Sequence, residues 1–313
     1  MNTQNIHAAK RNVVKLSVVS NSVLVVFKLA VGLLIGSVSV LSEAIHSGID
    51  LVAALIAYVA VRSSAKPADK DHHYGHDKFE NVSGFVEAIL IFLAAAWIIY
   101  EAVQKILRPQ AIEMIGWGIL VMGLSAFMNL AVSRMLFKVG NATDSIAIKA
   151  DAWHLLTDVY TSAGVMGGLF LIWIIELLWV GHHVHWIDPA IAILVALMII
   201  KAAYELTAQS MGDLLDGALP KEDNAKIEKL IGAQKGVISF KNLRTRKAGA
   251  TRFIEFDILV DGKMPVVDAH ALTDLIIAAI DASFAGAKVT IHIEPCEKKC
   301  PEDCLPNCAE PKK

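Results

Sequence analysis

Two histidine–aspartate pairs stand out in the chain, His46-Ser-Gly-Ile-Asp50 and His154-Leu-Leu-Thr-Asp158. On a helix, positions i and i+4 lie one turn apart on one face, so each pair offers an imidazole nitrogen and a carboxylate oxygen to one point. Two such helices facing each other supply two nitrogens and two oxygens, a donor set that suits tetrahedral Zn²⁺. A single HxxxD arises readily by chance. Two of them, each inside an apolar run, are another matter, because ionisable groups at bilayer depth are costly and mark ion pathways. Small residues flank both motifs, Ser42, Ala44, Ser47 and Gly48 in one and Ala150, Ala152 and Thr157 in the other. They permit close helix approach.

The elements that must carry these pairs follow from composition. The chain has 313 residues, 55% apolar and only 19% charged, where soluble domains carry about a quarter charged. This excludes a disordered chain, a fibrous one and an ordinary soluble enzyme, and the net charge of −2 does not point to nucleic acid. Charge is uneven: residues 1–210 hold 29 charged side chains and residues 211–313 hold 31. We expect a membrane domain over 1–210, a soluble domain over 211–296 and a flexible tail over 297–313. A spanning helix needs about 20 mostly apolar residues. Six runs qualify, near Val13–Ile35, Val38–Val61, Val82–Ala102, Ile115–Phe137, Ile146–Leu178 and Ile187–Leu206. The first is too long, and lacks a small-residue cleavage site, for a signal peptide. One set of loops carries Lys10, Arg11, Lys15, Arg62, Lys66, Lys70, Lys78, Arg134, Lys138 and Lys149, and the other only Lys105 and Arg108. The excess predicts that both termini lie in the cytoplasm, with the chain in the cell (inner) membrane.

After Pro220 the periodicity changes. Glu222–Ile231 reads as a helix, and Val237–Leu243 and Arg252–Val260 read as strands around the turn-like Lys247-Ala-Gly249-Ala. Val266–Phe284 reads as a second helix and Lys288–Ile293 as a last strand. This αββαβ order predicts an α+β domain with helices on one sheet face. Alternation puts Ile254, Phe256, Ile258 and Val260 on the inner face, with Val289, Ile291 and Ile293 inward on the last strand. Asp257, His292 and Glu294 then face solvent, with His270 opening the intervening helix.

Further motifs give the chain a family likeness. The loop Pro67-Ala-Asp69-Lys-Asp-His72-His-Tyr-Gly75-His76-Asp-Lys78-Phe-Glu80 lies between the two HxxxD motifs, and the junction Leu214-Leu-Asp216-Gly-Ala-Leu-Pro220 and the terminal His292-Ile-Glu294-Pro295 come after them. Over nearly its whole length the chain resembles the cation diffusion facilitators, divalent-metal transporters of the zinc-transporter type. The resemblance implies six spans, a ferredoxin- or metallochaperone-like cytoplasmic domain, and a homodimeric metal/proton antiporter working by alternating access. It implies a transport site of His46, Asp50, His154 and Asp158. Histidine at position 46 favours zinc over manganese, in line with the preference of imidazole for softer ions; cadmium, iron, cobalt, nickel and manganese remain alternatives. Zinc is thus expected both as substrate and as a structural or regulatory ion.

By the same resemblance Asp69, His72 and His76 form a loop metal site, in which Asp71, His73 and Asp77 can substitute. His72 and His76 are again i and i+4 if that segment is helical. Lys78 and Asp216 correspond to a charge pair that locks the dimer. Asp257, His270, His292 and Glu294 match a regulatory metal site, although Lys241 stands where some members carry another histidine, so one ion per protomer is expected. An ordinary polar strand face is the alternative.

Two features lie outside these motifs. His182, His183 and His185 occupy an outer loop and read as solvated. Cys296, Cys300, Cys304 and Cys308 are regularly spaced with prolines between. With no cysteine elsewhere, no disulfide framework holds the body of the protein. Four cytosolic thiols suggest a flexible tether with modest soft-metal affinity. A metal-dependent membrane enzyme is the rival from another class. It would need an open coordination position and a catalytic base, and neither an HExxH nor a nucleophile accompanies the two pairs. A sensor without transport would need no ligands inside the spans. No catalytic residue is therefore assigned.

Overall fold

Apolar runs of the length seen here satisfy every backbone hydrogen bond within themselves only as helices, and six long helices form among the described residues. They are α1 (Thr3–Ile35), α2 (Val38–Ser64), α3 (Lys78–Leu107), α4 (Trp117–Thr143), α5 (Ile146–Leu178) and α6 (Ile187–Leu214). The computed structural model describes residues 3–35, 38–107, 117–178 and 187–296. His182, His183, His185, Cys300, Cys304 and Cys308 lie outside them. Cys296, the last described residue, is a free thiol.

Several helices outrun their apolar stretches. α1 begins ten residues before Val13, α3 begins at Lys78 rather than Val82, and α6 continues to Leu214 rather than Leu206. Hydropathy marks the part of a helix that suits hydrocarbon. Once nucleated, a helix continues into polar sequence because each added residue gains a hydrogen bond without a new nucleation cost. Four described segments are long and apolar enough to cross a membrane: Asn5–Leu34, Ala44–Ser64, Lys78–Gln104 and Pro189–Leu214.

Two compact units divide the chain, Met1–Met211 and Gly212–Lys313. In the first, α1 packs along α2, α4 along α5, and α3 against both α5 and α2. One apolar core joins Val14, Val61, Leu136, Ile148 and Leu155, and another joins Ala88, Ile91, Ile146, Ile199 and Ala203. Gly84 marks a close approach: a Cβ there would lie 2.9 Å from Ser210 Oγ and 3.3 Å from Ile146 Cγ1. Small residues permit such contact where helices associate by packing rather than by hydrophobic drive.

The second unit contains α7 (Lys221–Gly232), β1 (Ser239–Ala248), β2 (Thr251–Asp261), α8 (Val266–Ser283) and β3 (Lys288–Cys296). The order αββαβ is as expected from sequence. β1 pairs antiparallel with β2, and the crossover through α8 brings β3 parallel to β2, giving the sheet order β1-β2-β3. Ile254, Phe256, Ile258 and Val260 point inward against Ile227 and Ile231 of α7 and Leu272, Ile276 and Ile280 of α8.

β1 differs from its expected extent, reaching Ala248 instead of stopping at Leu243. The pairing runs through Lys247↔Arg252 to Ala248↔Thr251. Only Gly249 and Ala250 remain for the turn, with Gly249 in the left-handed region at φ +56°, where glycine pays no Cβ penalty. A bulge lies between Lys241 and Arg244, where Asn242 adopts φ +54°.

Candidate metal centre

α2 and α5 bring the two HxxxD motifs together crosswise. His154 Nε2 is 3.2 Å from Asp50 Oδ1, and His46 Nε2 is 3.6 Å from Asp158 Oδ1. Each histidine therefore faces the aspartate of the other helix. His46, Asp50 and Asp158 each offer one donor atom within 4.8 Å of the others, and His154 joins through Asp50. Donors around one tetrahedral Zn²⁺ sit about 3.4 Å apart at bond lengths near 2.1 Å, which the two cross-helix separations match, while His154 stands outside the three-donor group. Asp50 and His154 are buried, whereas His46 is half exposed. The site is thus buried at Asp50 and His154 and exposed at His46.

Further residues hold this arrangement that spacing alone does not single out. Asn129 of α4 donates from Nδ2 to Asp158 Oδ2 at 3.2 Å, which fixes the free oxygen of that carboxylate. Thr157 donates to the carbonyl of His154 at 2.6 Å, and Ser133 of α4 donates to the carbonyl of Ala152 at 2.8 Å. Lys28 of α1, also buried, donates to Ser47 Oγ at 2.8 Å, beside His46. The available signal was a polar residue in an apolar run. Such a residue has no partner until the neighbouring helix is known.

The segment between α2 and α3 is not helical, which corrects the conditional i, i+4 reading of His72 and His76. The two rings nevertheless lie 4.3 Å apart between centroids. A turn achieves this: the amide of Gly75, at φ +89°, donates to the carbonyl of His72 at 3.0 Å. Asp69 Oδ1 is 3.3 Å from His72 Nδ1, and Asp69 Oδ2 is 3.3 Å from His76 Nε2. Asp69 also accepts the backbone amides of His72 at 2.7 Å and Asp71 at 3.0 Å. The amide of His72 is the main cause that lowers the Asp69 carboxyl below its ordinary value. Asp69, His72 and His76 form a second three-donor group, and Asp71, His73 and Asp77 are not part of it.

Near α3, Glu80 is a buried hub. It accepts from Lys10 of α1 at 2.8 Å, from Ser64 of α2 at 2.9 Å and from Ser145 just before α5. In the second unit, Asp216 adopts φ +57° and has Arg246 Nη1 3.4 Å from its Oδ1.

In the sheet, Asp257 stands opposite both Lys241 and His292 in register. Asn242, turned by the bulge, donates to Asp257 Oδ2 at 2.6 Å, while Lys241 Nζ pairs with Glu294 Oε2 at 2.6 Å. His292 Nε2 lies 3.8 Å from Glu294 Oε1. His270 lies 3.9 Å from Asp274 on its own helix. The metal-type donor groups among the described residues are the two already given, and the quartet Asp257, His270, His292 and Glu294 is not one of them.

A bundle of long apolar helices with a paired histidine–aspartate site, followed by a small α+β domain, is the architecture of an integral membrane protein. Comparison with known proteins makes the class specific. Residues 14–215 match the cation efflux transmembrane domain, and residues 219–296 match the cation efflux protein cytoplasmic domain. An uncharacterized transporter of Synechocystis, sll1263, is 35% identical over 271 residues, covering 86% of this chain and 85% of its own. The cation-efflux pump FieF of Klebsiella pneumoniae is 31% identical, covering 83% of this chain and 84% of its own. A metal-bound C-terminal domain of the CzcD transporter from Thermotoga maritima is 34% identical, covering 25% of this chain and 94% of its own, with a TM-score of 0.24. The chain belongs to the cation efflux, or cation diffusion facilitator, family and is a divalent metal cation exporter.

Proposed function

We propose that the protein exports Zn²⁺ across the inner membrane in exchange for protons, by alternating access of one site made by His46, Asp50, His154 and Asp158. The observation that supports this reading best is the crosswise pairing of the two motifs, which sets each imidazole beside the carboxylate of the other helix. Two ionised aspartates balance the charge of a divalent cation, and neutral imidazoles complete its shell. Metal ligands must be deprotonated, so an ion entering releases protons and protons entering eject the ion. Imidazole titrates near physiological pH, so a transmembrane proton gradient can drive the exchange.

In this reading residues 1–210 carry transport across six spans, with both termini in the cytoplasm. Residues 211–296 bind metal and dimerise, residues 297–313 form a thiol tail, and the working unit is a homodimer locked by Lys78 and Asp216. Asp69, His72 and His76 collect zinc at the cytoplasmic loop. Asp257, His270, His292 and Glu294 bind a regulatory ion.

Metal flux into inside-out vesicles tests the proposal. Zinc uptake is expected to exceed cadmium and manganese uptake, to rise with an imposed proton gradient and to vanish in Asp50→Ala. Zinc flux indifferent to the gradient would overturn the exchange mechanism. A His46→Asp variant that gained no cadmium or manganese transport would overturn the assignment of selectivity to His46.

A further inference from the structure

Asp158 divides its two oxygens between two helices. Oδ1 lies 3.6 Å from His46 Nε2 of α2, on the side of the metal donors. Oδ2 accepts from Asn129 Nδ2 of α4 at 3.2 Å. An ionised carboxylate only accepts, so the amide must present its nitrogen there. Asn129 is buried. α4 carries none of the four ligands His46, Asp50, His154 and Asp158, yet through Asn129 it fixes an oxygen of one of them.

The consequence is a limit on denticity. A carboxylate that gives one oxygen to a fixed amide offers only the other to an ion. Zn²⁺ is satisfied by a tetrahedral shell, one donor from each ligand. Mn²⁺ prefers an octahedral shell of oxygens, and hard cations often complete their shells with bidentate carboxylates. Asp158 Oδ2 is an oxygen that such an ion would recruit, and it is already engaged. Partners of this kind, one bond removed from the metal, orient the ligand and change metal affinity by about 10- to 100-fold.

We propose that Asn129 is a specificity-determining residue: by holding Asp158 Oδ2 it keeps Asp158 monodentate, and so favours a four-coordinate ion over a six-coordinate one. This role rests on the assignment of His46, Asp50, His154 and Asp158 as the transport site. It does not rest on proton exchange. It is also distinct from general support of the bundle. Ser133, one turn further along α4, ties the same two helices through the backbone carbonyl of Ala152 at 2.8 Å. Loss of that tie loosens α4 against α5 for every ion alike, whereas loss of the Asn129 amide frees an oxygen that only a larger shell can use.

Competition in inside-out vesicles carrying the full-length protein tests the proposal. The excess of manganese over zinc that halves zinc uptake is expected to fall about tenfold in Asn129→Leu, which is close in size but has no donor, and in Asn129→Ala. Ser133→Ala should keep the wild-type ratio, whatever it does to the rate. A ratio unchanged in both Asn129 variants overturns the proposal, as does an equal fall in Ser133→Ala. Cobalt gives a readout that needs no flux, because four-coordinate Co²⁺ absorbs visible light far more strongly than six-coordinate Co²⁺ and coordination geometry is diagnostic. The absorption lost in Asp50→Ala belongs to the transport site, and it should weaken in Asn129→Leu at saturating cobalt. Full absorption in that variant overturns the proposal by showing that Asp158 stays monodentate without the amide. Zinc uptake that survives Asp50→Ala would refute the transport site and the role of Asn129 with it. Uptake lost in Asp50→Ala, with Asn129→Leu like the wild type, would refute the role of Asn129 alone.

Discussion

His154 Nε2 of α5 lies 3.2 Å from Asp50 Oδ1 of α2, joining residues 104 apart in sequence. Each HxxxD motif thus pairs with the other and not within itself. The site exists only while the two helices face each other, so any motion that separates α2 from α5 opens the donor set.

Removal of either aspartate should abolish transport. Asp50→Ala and Asp158→Ala are expected to reduce zinc flux to background. Asn129→Ala leaves all four donors but frees the Asp158 oxygen it holds. It should weaken zinc affinity by about tenfold, at the low end for an outer partner of a ligand. Zinc titration of the purified variants checks the distinction, and equal loss in all three would contradict it.

The Lys10–Glu80 pair ties α1 to α3 inside the first unit. Lys10→Met leaves the Glu80 carboxylate buried with only the two serine donors, and should cost about 3 kcal/mol, as breaking a buried ion pair does. Lys10→Met with Glu80→Gln removes both charges and should recover part of that loss. Thermal unfolding in detergent reads the comparison, and a double variant no better than the single one would refute it.

Asp69 sets an acid limit on the loop. Backbone amides hold its carboxyl below the ordinary value of 3.8. A depressed folded-state pKa means that the stabilising contribution is complete above the unfolded value and is lost as pH falls through the folded one. The loop arrangement should therefore persist down to the ordinary carboxylate range and release at more acid pH. Asp69→Asn should remove that acid step. The ring resonances of His72 and His76 followed by NMR through the acid titration would show it.

Lys241 should compete with metal in the second unit. Its ammonium is 2.6 Å from Glu294, a position that a cation bound by Glu294 and His292 would need. In an Asp50→Ala background, Lys241→His should raise zinc affinity of the full chain by about tenfold, by exchanging a tethered charge for a donor. Calorimetry that found no gain would show that Lys241 does not limit the site.

Much of this protein is legible in one dimension because its determinants are local. Apolar runs placed the long helices, and alternation placed the inward faces of β2 and β3. The paired His-xxx-Asp motifs could be read because i, i+4 spacing fixes a shared helix face. Interactions between elements have no such signature. The crosswise pairing of His46 with Asp158, the support of Asn129 and the burial of Glu87 and Asp151 depend on which helices pack. The loop shows the same division: its composition announced a metal-type cluster, but a turn at Gly75, not a helix, joins His72 to His76. In the sheet, the bulge turns Asn242 to Asp257, and Lys241 reaches Glu294 two strands away. Sequence determined which groups the chain carries and the faces they share on their own elements; tertiary packing alone decided which of them meet, because distance between elements is set by the fold and not by spacing along the chain.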